Sequence, residues 1–480
     1  MNIKKIFSGI DYQVLQSYDT EIFSKNMEYD SRKIVEGDIF VALEGNVVDG
    51  HDYIDKAIEL GAKVIIVSKK VSMKKHINYF LVENLRKNLP FIASNFYDFP
   101  QDKLKIIGVT GTNGKTTTTY MLETILGNEN IARIGTVEYK IGEEIIVASN
   151  TTPESLDLVK FCKKAVDKKI KYLIMEVSSH GLSIGRVDML KFDVGIFTNL
   201  TPEHLDYHKT MENYYLAKRK MFDLLKNKNN SVINEDDDYG KKYLQYTKGM
   251  SYGLKNSSIT GNIKNISRHG QDVTINILGS EYNVTLNILG RYNLYNLLGA
   301  VGCAKLLGLS DNEIIKKISK IKGAPGRFEN VNTNSNFTAI VDYAHTGDAL
   351  ENILKSINEF KINRVITVFG CGGDRDKTKR PIMGRIAEKN SDIIIVTSDN
   401  PRTENPEEIV KDIVVGLKED NHIIEVDREK AIFKAIELAK KDDIILVAGK
   451  GHENYQVLGR KKIHFDDREK IIEGIEKLKK

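Results

Sequence analysis

Cysteine is scarce: the 480-residue chain has three, Cys162, Cys303 and Cys371. They lie far apart, so their spacing builds neither a disulfide framework nor a CxxC zinc site, and a reducing cytoplasm is the expected home. Long apolar runs are missing too. The opening segment MNIKKIFSGIDYQ offers only Ile6 and Phe7 before polar residues return, too little for a signal peptide. No stretch reaches the length that spans a bilayer, so no membrane role is expected. Charge of one sign is equally lacking: 71 Lys and Arg against 66 Asp and Glu leave +5, an excess too slight to support nucleic-acid binding. No internal repeat or low-complexity tract appears.

What is present is ordinary globular material. Hydrophobic residues make up 41% and charged residues 29%, enough apolar side chain to bury a core in each of the roughly three domains that this length suggests. Short β-branched runs repeatedly precede amphipathic helical stretches, the pattern of α/β folds with parallel sheets. The clearest strand candidates are residues 105–109, 172–177, 193–198, 364–369, 392–397 and 443–448. Several end in Gly, Thr, Asn or Asp, and ligands collect at such carboxyl ends.

Three blocks emerge. Residues 1–97 hold short strands at 37–43 and 62–67 around a DGHDYIDKAIELGA helix, and Pro100 with its polar surroundings makes a candidate linker. Residues 98–325 form a larger block whose later part, 257–289, alternates apolar and polar side chains as antiparallel strands do. GAPGRFE (323–329) has the glycines and proline of a hinge. The third block, 326–480, returns to strand and helix alternation and closes on GIEKLKK, read as a fraying helix end.

The strongest local signal is KLKIIGVTGTNGKTTTTYMLETIL, an apolar strand leading through Thr110–Thr116 into a helix, the context a phosphate-binding loop requires. Gly111 and Gly114 let backbone N–H groups of Thr112 and Asn113 converge on phosphate oxygens. The helix N-terminus adds partial positive charge, Lys115 a point charge, and the Thr116 hydroxyl a ligand for Mg²⁺. The match is a compact variant: the strict spacing wants glycine where Val109 stands, with Gly108 one place off. A triphosphate site leaves ligase, switch GTPase, helicase and transport ATPase all open.

Glu176 falls at a strand end, and Asn199, Glu203, His204, Asp206 and His208 crowd the segment after another strand. Mg²⁺ takes oxygen ligands and keeps waters, so one Glu plus phosphate oxygens would satisfy much of its sphere. His180 and His208 read as hydrogen-bonded structural groups, and the acidic run 235–238 as a solvated turn. Thr151 and Thr152, in NTTPES, read by themselves as caps of the helix beginning near Pro153.

Taken together, TGTNGKTTT, NTTPES, MEVSSHGL, TNLTPEHLDYH, YYLAKRKMF, GRYNLYN, GAPGRFE, VDYAHT, CGGDRDKTKRP, SDNPRTENP and AGKGHENYQ follow the order seen in the Mur ligases, which the chain resembles from about residue 30 to 456. The resemblance implies an α/β protein of three domains: a small N-terminal UDP-binding domain (1–97), a central P-loop ATPase domain with a parallel sheet (98–325) and a Rossmann-like amino-acid domain (326–480). It implies ATP and Mg²⁺, with UDP-MurNAc-L-Ala-D-Glu and meso-diaminopimelate as substrates, and a monomer is the expected state.

Residue by residue, Ser31 resembles the uridine-nucleotide contact, and Thr151, Thr152, Ser178 and Arg186 resemble contacts to the muramoyl substrate, which displaces the capping reading. Lys218 matches a lysine carried as a carbamate, able to join Mg²⁺ alongside Thr116, Glu176 and His204. Asn293, Asn296, Arg327 and Asp342 resemble nucleotide contacts. Asp399, Asn400, Pro401 and Arg402 form the DNPR tetrad that accompanies diaminopimelate, with Arg375, Gly449 and Glu453 as further amino-acid contacts. Ile184 stands where relatives often place a substrate-reaching glutamine, and Gly347 where they have proline. A lysine-adding relative, a folate polyglutamylating ligase and an ATP-hydrolysing switch protein are the competing readings.

Overall fold

The computed structural model describes residues 3–18, 24–45, 48–267, 270–331 and 335–478, so the two ends of the opening and closing segments quoted above lie outside the described residues. Three large sheets organise the chain. The first, of five strands, runs Gln13–Gln16, Asn78–Leu81, Val64–Val67, Ile39–Val41, Met27–Glu28. Its inner strands are parallel, and Gln13–Gln16 closes one edge antiparallel.

The second sheet has eleven strands. Lys105–Thr110 lies between Val194–Phe197 and Tyr172–Glu176, all parallel. These strands are buried on both faces, which is why they read as continuous apolar runs rather than alternating ones. Beyond them, Ile259–Ser267, Gly270–Ile277 and Ser280–Leu286 form an antiparallel extension. There Val273, Ile275 and Ile277 point inward in alternation, as the sequence pattern predicts. The third sheet, of six strands, runs Glu329–Val331, Thr338–Asp342, Ile444–Ala448, Val365–Phe369, Ile393–Val396, His422–Ile424, all parallel except the first.

Helices cover these sheets and supply the cores. One continuous cluster joins the first sheet to the second, with Phe80, Leu89 and Phe96 on one side and Leu156, Val159 and Leu173 on the other. Pro100 is therefore not in a loose linker. It is buried at the head of the 3-10 turn Pro100–Lys103, because helix Leu85–Phe96 packs on helix Ser155–Asp167 and draws the connection inward. At 323–329, Gly326 abuts a loop of the third sheet: a Cβ there would lie 2.0 Å from the His452 nitrogen. Among the described residues no helix is long and apolar enough to cross a membrane.

Candidate active site

The carboxyl ends of the central parallel strands open onto a cavity of about 540 Å³, walled on one side by the P-loop and on the other by the third sheet's first helix. Strand Lys105–Thr110 ends where Thr110, fully buried, donates its hydroxyl to the Val177 carbonyl. The loop that follows is pinned to the next strand end: Thr112 N–H donates to Asn199 O (2.8 Å), Asn113 N–H to Asn199 Oδ1 (2.9 Å), and Thr198 Oγ1 to Asn113 O (2.6 Å). Helix Lys115–Leu126 starts after Gly114, whose φ of 87° suits glycine. Asn296 lies against Gly114, and Asn293 donates to Leu289 O (2.8 Å) from the same helix, Arg291–Leu306.

Among the described residues the cations here make no ion pair. Lys115 Nζ donates to Gly111 O (3.0 Å) and Thr112 O (2.7 Å), and burial pushes its ammonium below the usual lysine range while Glu176 and Glu203 oppose that. Lys218, on helix Met211–Asp223, is 2% exposed and donates to Gly111 O (2.8 Å). Burial first, and then the neighbouring Lys115, drives its amine well below the usual range. Arg327 lies 4.6 Å over the Tyr343 ring, and its buried Nε has no hydrogen-bond partner among the described residues. Such a set of desolvated cations and turned-in amides fits polyphosphate.

Opposite them, Glu176 is fully buried, held by Thr136 N–H (2.9 Å) and the Thr136 hydroxyl (3.2 Å), with no ion pair to it among the described residues. A buried carboxylate without a cation fits a metal ion, and Thr116 and His204 line the same cavity. His204 sits in left-handed backbone (φ 56°), half-exposed, its Nε2 3.9 Å from the Glu203 carboxylate. His208 is buried and bonds Ser179 Oγ (2.9 Å) as a structural histidine. In the acidic run, Asp237 caps helix Asp238–Thr247 and accepts from Leu200 N–H, while Asp236 accepts from Leu254 N–H and Tyr295.

Thr151 and Ser178 also line the cavity. Neither Thr151 nor Thr152 caps helix Ser155–Asp167, whose N-cap is Glu154. Thr152 instead ties two strand ends, donating to Glu176 O (2.9 Å) and accepting from Ser178 N–H (3.0 Å), and Arg186 donates to Thr152 O (2.9 Å). Ile184 follows the short helix Ser179–Ser183. Ser31 is outside this cavity, buried in the first sheet's turn Ser31–Lys33.

The far wall comes from the third sheet. Asp342 accepts Phe328 N–H and Ala344 N–H (both 2.7 Å), and burial raises its carboxyl while Arg327 lowers it. Gly347 opens helix Gly347–Asn358 behind its N-cap Thr346. From that helix Asp348 Oδ2 crosses the cavity to accept Thr201 Oγ1 (3.0 Å) and Asn113 Nδ2 (3.2 Å). Sequence reading assigned no role to Asp348, Tyr343, His345 or Thr136. The first three sit in or beside VDYAHT, a signal that could have flagged them, whereas Thr136 carries none.

At the other strand ends of the third sheet a second constellation assembles. Asn400 Nδ2 donates to Glu453 Oε2 (2.8 Å), Val457 N–H donates to Asn400 Oδ1 (2.9 Å), and Asp399 faces Gly449. Arg402, also in left-handed backbone (φ 52°), donates to Gly373 O (2.6 Å). A side-chain position built on Gly372 lies 3.0 Å from Arg402 Nη1 and 3.9 Å from Arg375 Cγ, so the two arginines flank one glycine.

Three family descriptions match the chain: Mur ligase family, catalytic domain, over residues 24–97; Mur ligase middle domain over 109–304; and Mur ligase, glutamate ligase domain, over 326–451. A relative from Fusobacterium nucleatum, 55% identical over 97% of this chain and 96% of its own length, is named UDP-N-acetylmuramoyl-L-alanyl-D-glutamate--2,6-diaminopimelate ligase. One from Clostridium tetani bears the same name at 47% identity over the whole of both chains. A solved structure of an enzyme of that name superposes with a TM-score of 0.71 at 29% identity, covering 100% of this chain and 99% of that one. A MurF ligase from Thermotoga maritima in complex with ADP shares the fold, with a TM-score of 0.67 at 21% identity over 95% and 98% of the two chains.

Proposed function

The chain belongs to the Mur ligase family, and we propose from that premise that it joins meso-diaminopimelate to UDP-MurNAc-L-Ala-D-Glu at the expense of ATP. In this reading residues 1–97 hold the uridine end, 98–325 the ATP, and 326–480 the incoming amino acid. The reaction belongs to the cytoplasm, and a monomer suffices for it.

A carboxylate is a poor electrophile, because its charge repels an amine and oxide is a hopeless leaving group. Transfer of the γ-phosphoryl of ATP to the D-Glu carboxylate gives an acyl phosphate, and the amine then attacks that carbon as phosphate departs. Little covalent work is left to the protein; its share is alignment and charge neutralisation. Lys115 and Arg327 suit the oxygens that gain charge, while Asn293, Asn296 and Asp342 suit the nucleotide. Thr116, Glu176, His204 and a carbamate on Lys218 would hold Mg²⁺, which when bound neutralises phosphate oxygens. Only a neutral amine adds CO₂, and the burial of Lys218 beside Lys115 favours that form.

The observation that carries the reading is the junction at Gly326. Its neighbour Arg327 lines the phosphate cavity, and Gly326 itself packs on Gly451 and His452, between Gly449 and Glu453 of the second constellation. The chain thus passes directly from the place proposed for the activated carboxyl to the place proposed for the amine. Arg402 supports diaminopimelate over lysine, since its planar fork matches the carboxylate that lysine lacks.

The test is ADP formation by purified protein. Release that requires both UDP-MurNAc-L-Ala-D-Glu and diaminopimelate is the expected result. Release supported by lysine alone would reassign the amino acid, release on folate would reassign the acceptor, and release indifferent to any amino acid would make the protein a nucleotide switch.

A further inference from the structure

Beside the second constellation lies a charged cluster that neither lines the cavity nor belongs to the DNPR tetrad. Glu404 takes the Arg380 guanidinium on both oxygens, Oε1 accepting Nη2 (2.9 Å) and Oε2 accepting Nη1 (3.1 Å). Lys377 Nζ approaches Oε2 at 3.1 Å. Asp374 N–H also donates to Oε1 (2.6 Å). The Arg380 side chain is 1% exposed and is tied as well to Asp412 (2.9 Å). These donors pull the Glu404 carboxyl down to about 2, so the pair is fully charged at any physiological pH.

The cluster braces two loops that also bond one another directly. Arg375 rides on the loop after strand Val365–Phe369, and Arg402 on the loop after its parallel neighbour Ile393–Val396. Gly373 N–H donates to Asn400 O (2.9 Å), Thr403 Oγ1 to Asp374 Oδ1 (2.7 Å), and Arg402 Nη1 to Gly373 O (2.6 Å). Both loops pass through left-handed backbone beside their arginines, at Asp374 (φ 54°) and at Arg402 itself (φ 52°). Non-glycine residues keep such conformations only where their surroundings over-determine them. At Asp374 the determinants are Glu404, which accepts its N–H, and Thr403, which donates to its carboxylate; at Arg402 it is the hairpin of Tyr455–Leu458 and Lys461–His464, since Arg402 N–H donates to Val457 O (3.1 Å) and Gly459 N–H to Arg402 O (2.8 Å).

We propose that Glu404, clamped by Arg380, is a positioning residue that fixes the separation of the two loops carrying Arg375 and Arg402 and thereby sets which amino acid is accepted. The inference rests on the amino-acid site proposed above. Without that brace, two like-charged guanidinium groups would press these loops apart, and a carboxylate substrate would have to gather them at its own entropic cost. A bidentate fork through Glu404 meets part of that cost during folding, by holding the backbone that carries both arginines in place before a substrate arrives.

The test compares Glu404→Gln, Arg380→Lys and the double variant Arg380→Met/Glu404→Gln, which removes both charges so that neither is left buried alone. Each is assayed for KM of the amino acid the unmodified enzyme uses, KM of ATP, kcat, the ratio of kcat/KM for diaminopimelate over lysine, and Tm. For Glu404→Gln and the double variant, the expected result is an amino-acid KM raised on the order of tenfold or more, ATP KM within about twofold, and a reduced diaminopimelate preference. Arg380→Lys, which keeps the charge but not the fork, falls between. Parallel rises in both KM values, or a lower Tm with the amino-acid KM unchanged in the soluble variants, would overturn the proposal. If the unmodified enzyme prefers lysine, the substrate assignment fails while the KM split still judges the bracket.

Discussion

Lys115 and Lys218 share one acceptor: both ammonium nitrogens donate to the Gly111 carbonyl oxygen, at 3.0 and 2.8 Å. Two amines on one carbonyl, that of Lys218 buried, with no carboxylate bonded to either among the described residues, leave a strong demand for anions. On the function proposed above, phosphate would meet that demand at Lys115 and a carbamate would meet it at Lys218.

For Lys218→Ala we expect turnover to collapse and high bicarbonate not to restore it, because the nitrogen that would carry the carbamate is gone. Single-turnover ADP formation measures this; near-normal rates would remove Lys218 from the chemistry. Lys115→Met should lower kcat by about 10²–10³-fold, the scale of losing one preorganised donor to a developing charge.

Arg402→Lys should raise the KM for diaminopimelate far more than that for ATP, since an ammonium cannot reproduce the two parallel hydrogen bonds of a guanidinium. Steady-state kinetics with each substrate varied in turn checks it, and equal effects on both would count against Arg402 as the specificity group.

Gly114→Ala should damage the nucleotide site from two directions. A Cβ there would lie 2.3 Å from Asn296 Oδ1, and φ of 87° is strained for any side chain. We expect a KM for ATP raised at least about tenfold and a stability loss of about 1–3 kcal/mol, read by kinetics and urea unfolding. A variant with wild-type ATP kinetics would show that the loop tolerates the displaced amide.

His452 makes stability depend on pH. Burial, with Arg327, Arg468 and Lys450 nearby, holds its imidazole down at about 4, against an ordinary 6.5. Between those values the unfolded chain binds a proton that the folded chain refuses, so this contribution is complete above pH 6.5 and is lost as pH falls through 4. Urea unfolding from pH 4.5 to 7 should show a shallower slope for His452→Gln than for the parent chain, and identical slopes would remove the effect.

Much of the architecture was legible because parallel strands buried on both faces cannot hide: the apolar runs at 105–109 and 443–448 reappear within a residue as Lys105–Thr110 and Ile444–Ala448. The phosphate loop was legible for a related reason, since strand, glycine turn and lysine are contiguous. What depends on distant partners was not. The polar look of Pro100 gave no hint that two helices would bury it, and Thr152 resembles a cap until Glu176 arrives from another strand. The muramoyl, nucleotide and diaminopimelate roles came from resemblance, because Asn400 or Arg186 taken singly is an ordinary polar residue.

Asp348 reaches across the nucleotide cavity to Asn113 and Thr201, and those bonds are the kind that water replaces readily. A ligand that bonded Asn113 and Asp348 together would act as mortar: filling the gap and holding the halves together would then be a single equilibrium. A wedge that gripped the P-loop yet kept Asp348 away would leave both subsites intact and still stop the reaction, by parking the amine beyond reach of the carbon it must attack.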